Sequence, residues 1–299
     1  MFFNLMKAKK TLHLHMQNSI NKLKQSLSPL YDSREMKAII ALLFEEVCGL
    51  SRLDMLMNPN IVLSEEKSEI LSCYAAMLAE GVPVQQVLGY EYFLGRRFEV
   101  NPDVLIPRPE TAELVDWIVR EAPIGVNVLD VGTGSGCIAI SLATLINNSR
   151  VFAYDLSTKA LKTAILNAER LNISNVTFVH KDILESQNER FEHPNVDNFD
   201  IIVSNPPYIM HKEKSEMSAN VLDHEPHLAL FVPDSDPLLF YRAIGNYGLK
   251  NLRHGGRLYF EINAALGRET CQLLESLGYR DIILRKDLNG LDRMISATL

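Results

Sequence analysis

The chain has 299 residues, 47% of them apolar, and a formal net charge of −7, which suits two domains with a sizeable core. That acidic balance argues against a protein that wraps a nucleic-acid backbone, and no apolar run is long enough to span a bilayer. Cys48, Cys73, Cys137 and Cys271 are scattered, with no C-x-x-C pair, so reduced thiols in a cytoplasmic protein are expected and no metal site.

Residues 1–18 read as a disordered extension. Phe2 and Phe3 are followed by Lys7, Lys9 and Lys10 without the apolar run of a signal peptide, and Met16 is a candidate start. Residues 19–88 read as a small helical domain with no β-type alternation. Met36, Ile39, Ile40, Leu43, Phe44 and Val47 recur at helical spacing up to Gly49, and Ser64 suits the N-cap of a helix that Gly81 and Pro83 stop. Residues 89–105 read as a hairpin linker, turning at Gly95, and Pro102, Pro107 and Pro109 mark an irregular stretch. From residue 106 to 299 strand and helix patterns alternate. Strands are expected at 126–130, 151–155, 176–179, 200–204, 258–262, 281–284 and 293–297, with an Asn289-Gly290 turn before the last. This is the pattern of an α/β, doubly wound, mostly parallel sheet with one terminal antiparallel strand.

Asp130-Val131-Gly132-Thr133-Gly134-Ser135-Gly136 ends the first of these strands and opens a helix. Glycines permit positive φ and close approach of a ligand, and the free N–H groups of the following helix can receive a carboxylate. The dinucleotide fingerprint G-x-G-x-x-G requires glycine where Cys137 stands, whereas D-x-G-x-G-x-G fits throughout. Asp155 ends the next strand, placed to accept hydrogen bonds from ribose hydroxyls, and Asp182 and Ile183 follow the third strand, where side chains can border a base.

The strand ending at Ser204 runs into Asn205-Pro206-Pro207-Tyr208. Each proline restricts the residue before it, which makes the segment a rigid shelf. A planar amide or amino nitrogen is a poor nucleophile because its lone pair is delocalised. The Asn205 side-chain oxygen and the Pro206 carbonyl can accept its two N–H bonds and favour charge building up on it, while Tyr208 can stack on a flat substrate and face a cation.

These motifs stand beside Gly95 to Val100, Val104 to Thr111 (VLIPRPET), His224-Glu225-Pro226 and Lys286 to Arg293. With them the chain resembles the bacterial release factor glutamine methyltransferases of the HemK/PrmC type over nearly all of its length beyond residue 20. The resemblance implies a Rossmann-like class I fold and S-adenosylmethionine as methyl donor. It implies methylation of the side-chain amide nitrogen (N5) of the glutamine in the Gly-Gly-Gln motif of class 1 peptide-chain release factors, and a helical domain that helps to hold the release factor. The expected cofactor residues are Gly132, Thr133, Gly134, Ser135, Gly136, Asp155, Asp182, Ile183 and Asn205, and the expected catalytic residues are Asn205, Pro206, Pro207 and Tyr208. The chain departs from the family at Glu261-Ile262-Asn263, where Glu-Ile-Gly is usual.

Arg108 and Glu110 admit two readings, a helix start or a cover for the cofactor. Residues 211–236 are long for a connection and read as a substrate lid, with His224 and His227 solvated in it. Two rival readings are an amino-methylating DNA enzyme, which needs a target-recognition domain and a basic surface, and a scaffold, which has no need of an amide clamp.

Overall fold

The computed structural model describes residues 14–299. The chain divides after Leu88 into two compact units.

In the first unit, α1 (Met16–Leu27) buries Met16, Ile20, Leu23 and Leu27, the stripe of a helix packed on one side. The expected extension therefore needs correction over residues 14–18. Met16 is buried at the start of α1, its N–H donates to the Ile61 carbonyl at 2.8 Å, and Leu14–His15 pair antiparallel with Val62–Leu63. This two-residue ladder is too short to show the alternation that the sequence lacks before residue 90. The rest of that reading, residues 1–13, lies outside the described residues. Asp32 caps α2 (Ser33–Cys48), accepting from the N–H groups of Arg34 and Glu35, and Gly49 closes it at φ +69°. The short α3 (Arg52–Met57) starts in a Ser51–Asp54 capping box, and Ser64 caps α4 (Glu65–Ala79). With α5 (Val84–Leu88) these helices surround Leu43, Phe44, Leu71 and Leu78.

The second unit opens with the hairpin β1 (Tyr90–Phe93) and β2 (Arg96–Glu99), turned at Leu94 and Gly95, both with positive φ. It is part of this unit's core and does not behave as a linker. Phe93 and Phe98 are buried edge to face at 6.0 Å, and the buried Asn167 side chain bonds both the N–H and the carbonyl of Glu99.

Next come α6 (Pro109–Glu121), β3 (Asn127–Val131), α7 (Cys137–Leu145), β4 (Arg150–Asp155), α8 (Thr158–Arg170), β5 (Val176–His180) and β6 (Phe199–Ser204). After residues 209–232 follow α9 (Leu239–Asn251), β7 (Leu252–Glu261), α10 (Gly267–Ser276), β8 (Arg280–Lys286) and β9 (Asp292–Thr298). The seven-stranded sheet has the order β8-β9-β7-β6-β3-β4-β5, and β9 alone runs against the direction of the other six. Both faces are covered. Val128, Ile201 and Val203 enter one core with α6 and α7, while Leu129, Ile202 and Phe260 enter another with α9. Strand order reverses between β3 and β6, whose last residues Val131 and Ser204 are paired. Such a switch point leaves a crevice beyond the carboxyl ends of the strands.

Candidate active site

The glycine loop leaves β3 with Gly132, Gly134 and Gly136 at φ +75°, +56° and +82°, a region that L side chains rarely adopt. The Gly132 and Thr133 N–H groups donate to the Tyr154 carbonyl at 2.9 and 3.0 Å. Asp155 accepts from the Gly134 N–H at 2.8 Å through Oδ2 and from the Ser157 N–H at 2.8 Å through Oδ1. Burial raises the Asp155 carboxyl above its ordinary range, and those two N–H groups oppose the rise.

A cavity of about 200 Å³ brings together Gly132, Gly134, Asp155, Asp182, Ile183, Asn205, Pro206 and Pro207. Asp182 also caps the short helix Ile183–Ser186. Thr133, Ser135 and Gly136, expected with these, do not line the cavity and instead shape the loop. Thr133 Oγ1 donates to Asp130 Oδ2 at 2.7 Å, the Ser135 carbonyl accepts from Asn167 Nδ2 at 2.9 Å, and a Cβ on Gly136 would come within 2.9 Å of Ile140 Cδ1. A Cβ on Gly132 or Gly134 would meet no protein atom within 4 Å, so their bare faces open on the cavity. Asp130 is fully buried with no partner for Oδ1, and burial pushes its carboxyl up to about 7.

On the other side of the shelf is a second cavity, of about 290 Å³. Asn205 and Pro206 border it as well, with Tyr208, Arg108, Val221 and Glu261. Ser204 Oγ donates to the Val131 carbonyl at 2.6 Å and fastens the shelf to the glycine loop's strand. Asn205 Nδ2 donates to Thr111 Oγ1 at 3.1 Å, and Thr111 Oγ1 donates to Glu261 Oε2 at 2.6 Å. Tyr208 donates its hydroxyl to Glu261 Oε1 at 3.2 Å, and burial raises its phenol well above the ordinary range. The Tyr208 carbonyl accepts from Asn263 Nδ2 at 3.1 Å, so the residue that departs from Glu-Ile-Gly supports the shelf.

The 211–236 segment folds over this side. It carries two short helices, Ala219–His224 and His227–Leu230, and a parallel pairing of Phe231–Val232 with Ile209–Met210. Glu225 is buried there. It accepts the Ile106 N–H at 3.1 Å and pairs with the Arg108 guanidinium. Arg108 occupies the N-cap position of α6, the first of its two readings, and pairs with Glu225; it borders the second cavity and not the glycine-loop cavity, so nothing here supports the reading of a cover for the cofactor. His227 is exposed, with Nε2 on the Leu222 carbonyl.

Motif reading missed Thr111, Glu261, Asn167 and Glu225 as members of this constellation. Glu225, Thr111 and Glu261 stood inside quoted stretches, but no spacing rule connects them to their partners.

Residues 19–89 match the family described as PrmC N-terminal domain, and residues 124–261 match the family described as methyltransferase domain. A release factor glutamine methyltransferase of Bacteroides thetaiotaomicron is 47% identical over 275 residues, 92% of this chain and 97% of its own. One from Flavobacterium psychrophilum is 45% identical over 276 residues, 91% of this chain and 94% of its own. Among solved structures, a methyltransferase from Pyrococcus furiosus matches with a TM-score of 0.50 at 19% identity, covering 76% of this chain and 98% of its own, a likeness of fold alone.

Proposed function

The chain belongs to the release factor glutamine methyltransferase family, and from that premise we propose how its two cavities divide the work of methyl transfer. The reaction moves a methyl group from S-adenosylmethionine to the side-chain amide nitrogen of the glutamine in the Gly-Gly-Gln motif of class 1 release factors. The observation that carries the reading is the meeting of both cavities at Asn205 and Pro206.

The residues of the first cavity suit the cofactor. Asp155 offers carboxylate lone pairs for ribose hydroxyls, the bare faces of Gly132 and Gly134 leave room for close approach, and Ile183, Leu184, Phe240 and Ile244 give apolar walls for a base. When bound, the cofactor supplies an electrophilic methyl group on a cationic sulfur.

The second cavity takes the glutamine side chain. The Asn205 side-chain oxygen and the Pro206 carbonyl accept its two N–H bonds, which orients the nitrogen lone pair and stabilises the positive charge that grows there. Tyr208 presents a ring fixed by Glu261 against the flat amide. No general base is required before transfer, since the nitrogen gives up its proton afterwards. Among the described residues no helix is long and apolar enough to cross a membrane. We place the reaction in the cytoplasm, where peptide-chain release takes place, and we assign the first unit to holding the folded release factor.

The test is transfer of labelled methyl from S-adenosylmethionine to a class 1 release factor, to the same factor with its Gly-Gly-Gln glutamine changed to alanine, and to duplex DNA. Label on the intact factor alone is expected. Label on DNA, or equal label on both factors, contradicts the reading.

A further inference from the structure

The Asn205 carboxamide has two ends of nearly the same shape and opposite hydrogen-bonding character, so packing alone cannot choose between them. Its hydrogen-bond partners can. Asn205 Nδ2 meets Thr111 Oγ1 at 3.1 Å, and Thr111 Oγ1 meets Glu261 Oε2 at 2.6 Å. The other oxygen of Glu261 accepts the Tyr208 hydroxyl at 3.2 Å. Thr111 is 2% exposed and Glu261 1%, so water does not compete for these bonds. Burial raises the Glu261 carboxyl and the Thr111 and Tyr208 hydroxyls oppose the rise; with each of its oxygens taking a hydroxyl proton the carboxylate only accepts, and a hydroxyl has a single proton. Once that proton points at Glu261, the Thr111 oxygen can only accept, and only the N–H end of Asn205 satisfies it. The oxygen end is then the free end, at the junction of the two cavities.

We propose that Thr111 and Glu261 are positioning residues for methyl transfer: acting in series, they hold the Asn205 carboxamide with its oxygen, not its nitrogen, available to the substrate amide. The same carboxylate fixes the Tyr208 ring. Glu261 thus sets the polarity of the shelf without touching the reacting atoms. The partners lie 94 and 150 positions apart in the chain, on the first turn of α6 and the end of β7, so closing the chain of bonds requires the folded sheet. The proposal rests on Asn205 being the acceptor that holds the substrate amide.

The experiment is a double-mutant cycle on the full chain with a folded release factor as substrate. It reads kcat, KM and, by calorimetry, the cofactor Kd. Thr111→Val keeps the volume and removes both bonds. It is expected to lower kcat by about tenfold or more, because the acceptor is no longer held in place. Cofactor Kd and KM should stay within about threefold, since ground-state binding is left in place. Thr111→Ser, which keeps the hydroxyl, is expected to restore kcat to within about threefold. In an Asn205→Ala background Thr111→Val should cost less than about twofold more, since its effect passes through Asn205. Should Thr111→Val fail to fold, Glu261→Met in both backgrounds reads the same cycle: it removes both acceptor oxygens, which frees the Thr111 hydroxyl proton to turn toward Asn205, so the same kcat loss is expected.

A Thr111→Val enzyme with ordinary kcat, or one whose loss is as large without Asn205 as with it, overturns the proposal and leaves the reading of Asn205 standing. An Asn205→Ala enzyme with ordinary kcat overturns both.

Discussion

Two carboxylates flank the glycine loop and differ in what surrounds them. Asp155 has two backbone N–H partners and borders the glycine-loop cavity, whereas Asp130 is fully buried, with the Thr133 hydroxyl and the Ala139 N–H opposing the effect of burial on its carboxyl. Its folded pKa of about 7 lies above the ordinary 3.8, so the ionised form opposes folding. The sign follows by linkage. Above pH 7 both folded and unfolded chains carry the charge, and the folded chain bears the full cost of burying it. As pH falls from about 7 toward about 4 the folded state takes up a proton that the unfolded state does not, so stability rises. Asp130→Asn removes the buried charge and its cost. In the cofactor-free protein it is expected to raise Tm at pH 8, by an amount on the order of a few kcal/mol of stability, with a smaller gain at pH 5. A Tm difference that is the same at both pH values, or reversed, contradicts the assignment. Spacing along the chain gave Asp130 no role beyond opening the glycine motif but singled out Asp155 and Asn205, because strand ends and glycines are local signals. Thr111 and Glu261 gave none, because their partners are brought together only by the crossing of α6, β6 and β7.

At the scale of elements, the 211–236 segment is held by the pairing of Phe231–Val232 with Ile209–Met210, by Asn263 on Glu213 and by the buried Glu225 side chain. Glu225→Ala leaves the Ile106 N–H without its partner and Arg108 without its counter-ion. Arg108 keeps 34% of its side-chain surface exposed, so the loss is set mainly by the buried N–H, about 1–3 kcal/mol. The expected outcome is faster amide exchange and faster proteolytic cleavage within 211–224, with the sheet's amides unchanged. Unchanged exchange in that segment contradicts the tether. The sequence placed all seven strands of the sheet, since each is a short apolar run between turn signals. It gave no α9, where Gly245 and Gly248 obscure the helical pattern. Their reason is packing: a Cβ on Gly245 would come within 2.7 Å of Leu277 Cδ1, and one on Gly248 would crowd the Tyr279 hydroxyl. The hairpin at 90–99 was legible as a hairpin, but its place in a core was not, because Phe93 and Phe98 join a cluster built from α6, α7 and the sheet, far away in the sequence.

At the scale of the whole molecule, each unit encloses its own hydrophobic core, and every residue of the two cavities at the shelf belongs to the second. Binding energy from the first unit can then be spent far from the reacting nitrogen. Deleting residues 1–88 is expected to raise KM for the folded release factor by about tenfold while changing KM for a short Gly-Gly-Gln peptide little. Equal effects on both substrates contradict a docking role for that unit. The most direct measurement on the account as a whole is the turnover of Asn205→Ala on a folded class 1 release factor, with cofactor affinity measured in parallel. Loss of a positioned acceptor aimed at developing charge predicts a fall in kcat of about a hundredfold or more, with cofactor Kd changed much less. A variant that keeps near-normal kcat would contradict the claim that this side chain holds the glutamine amide for methylation.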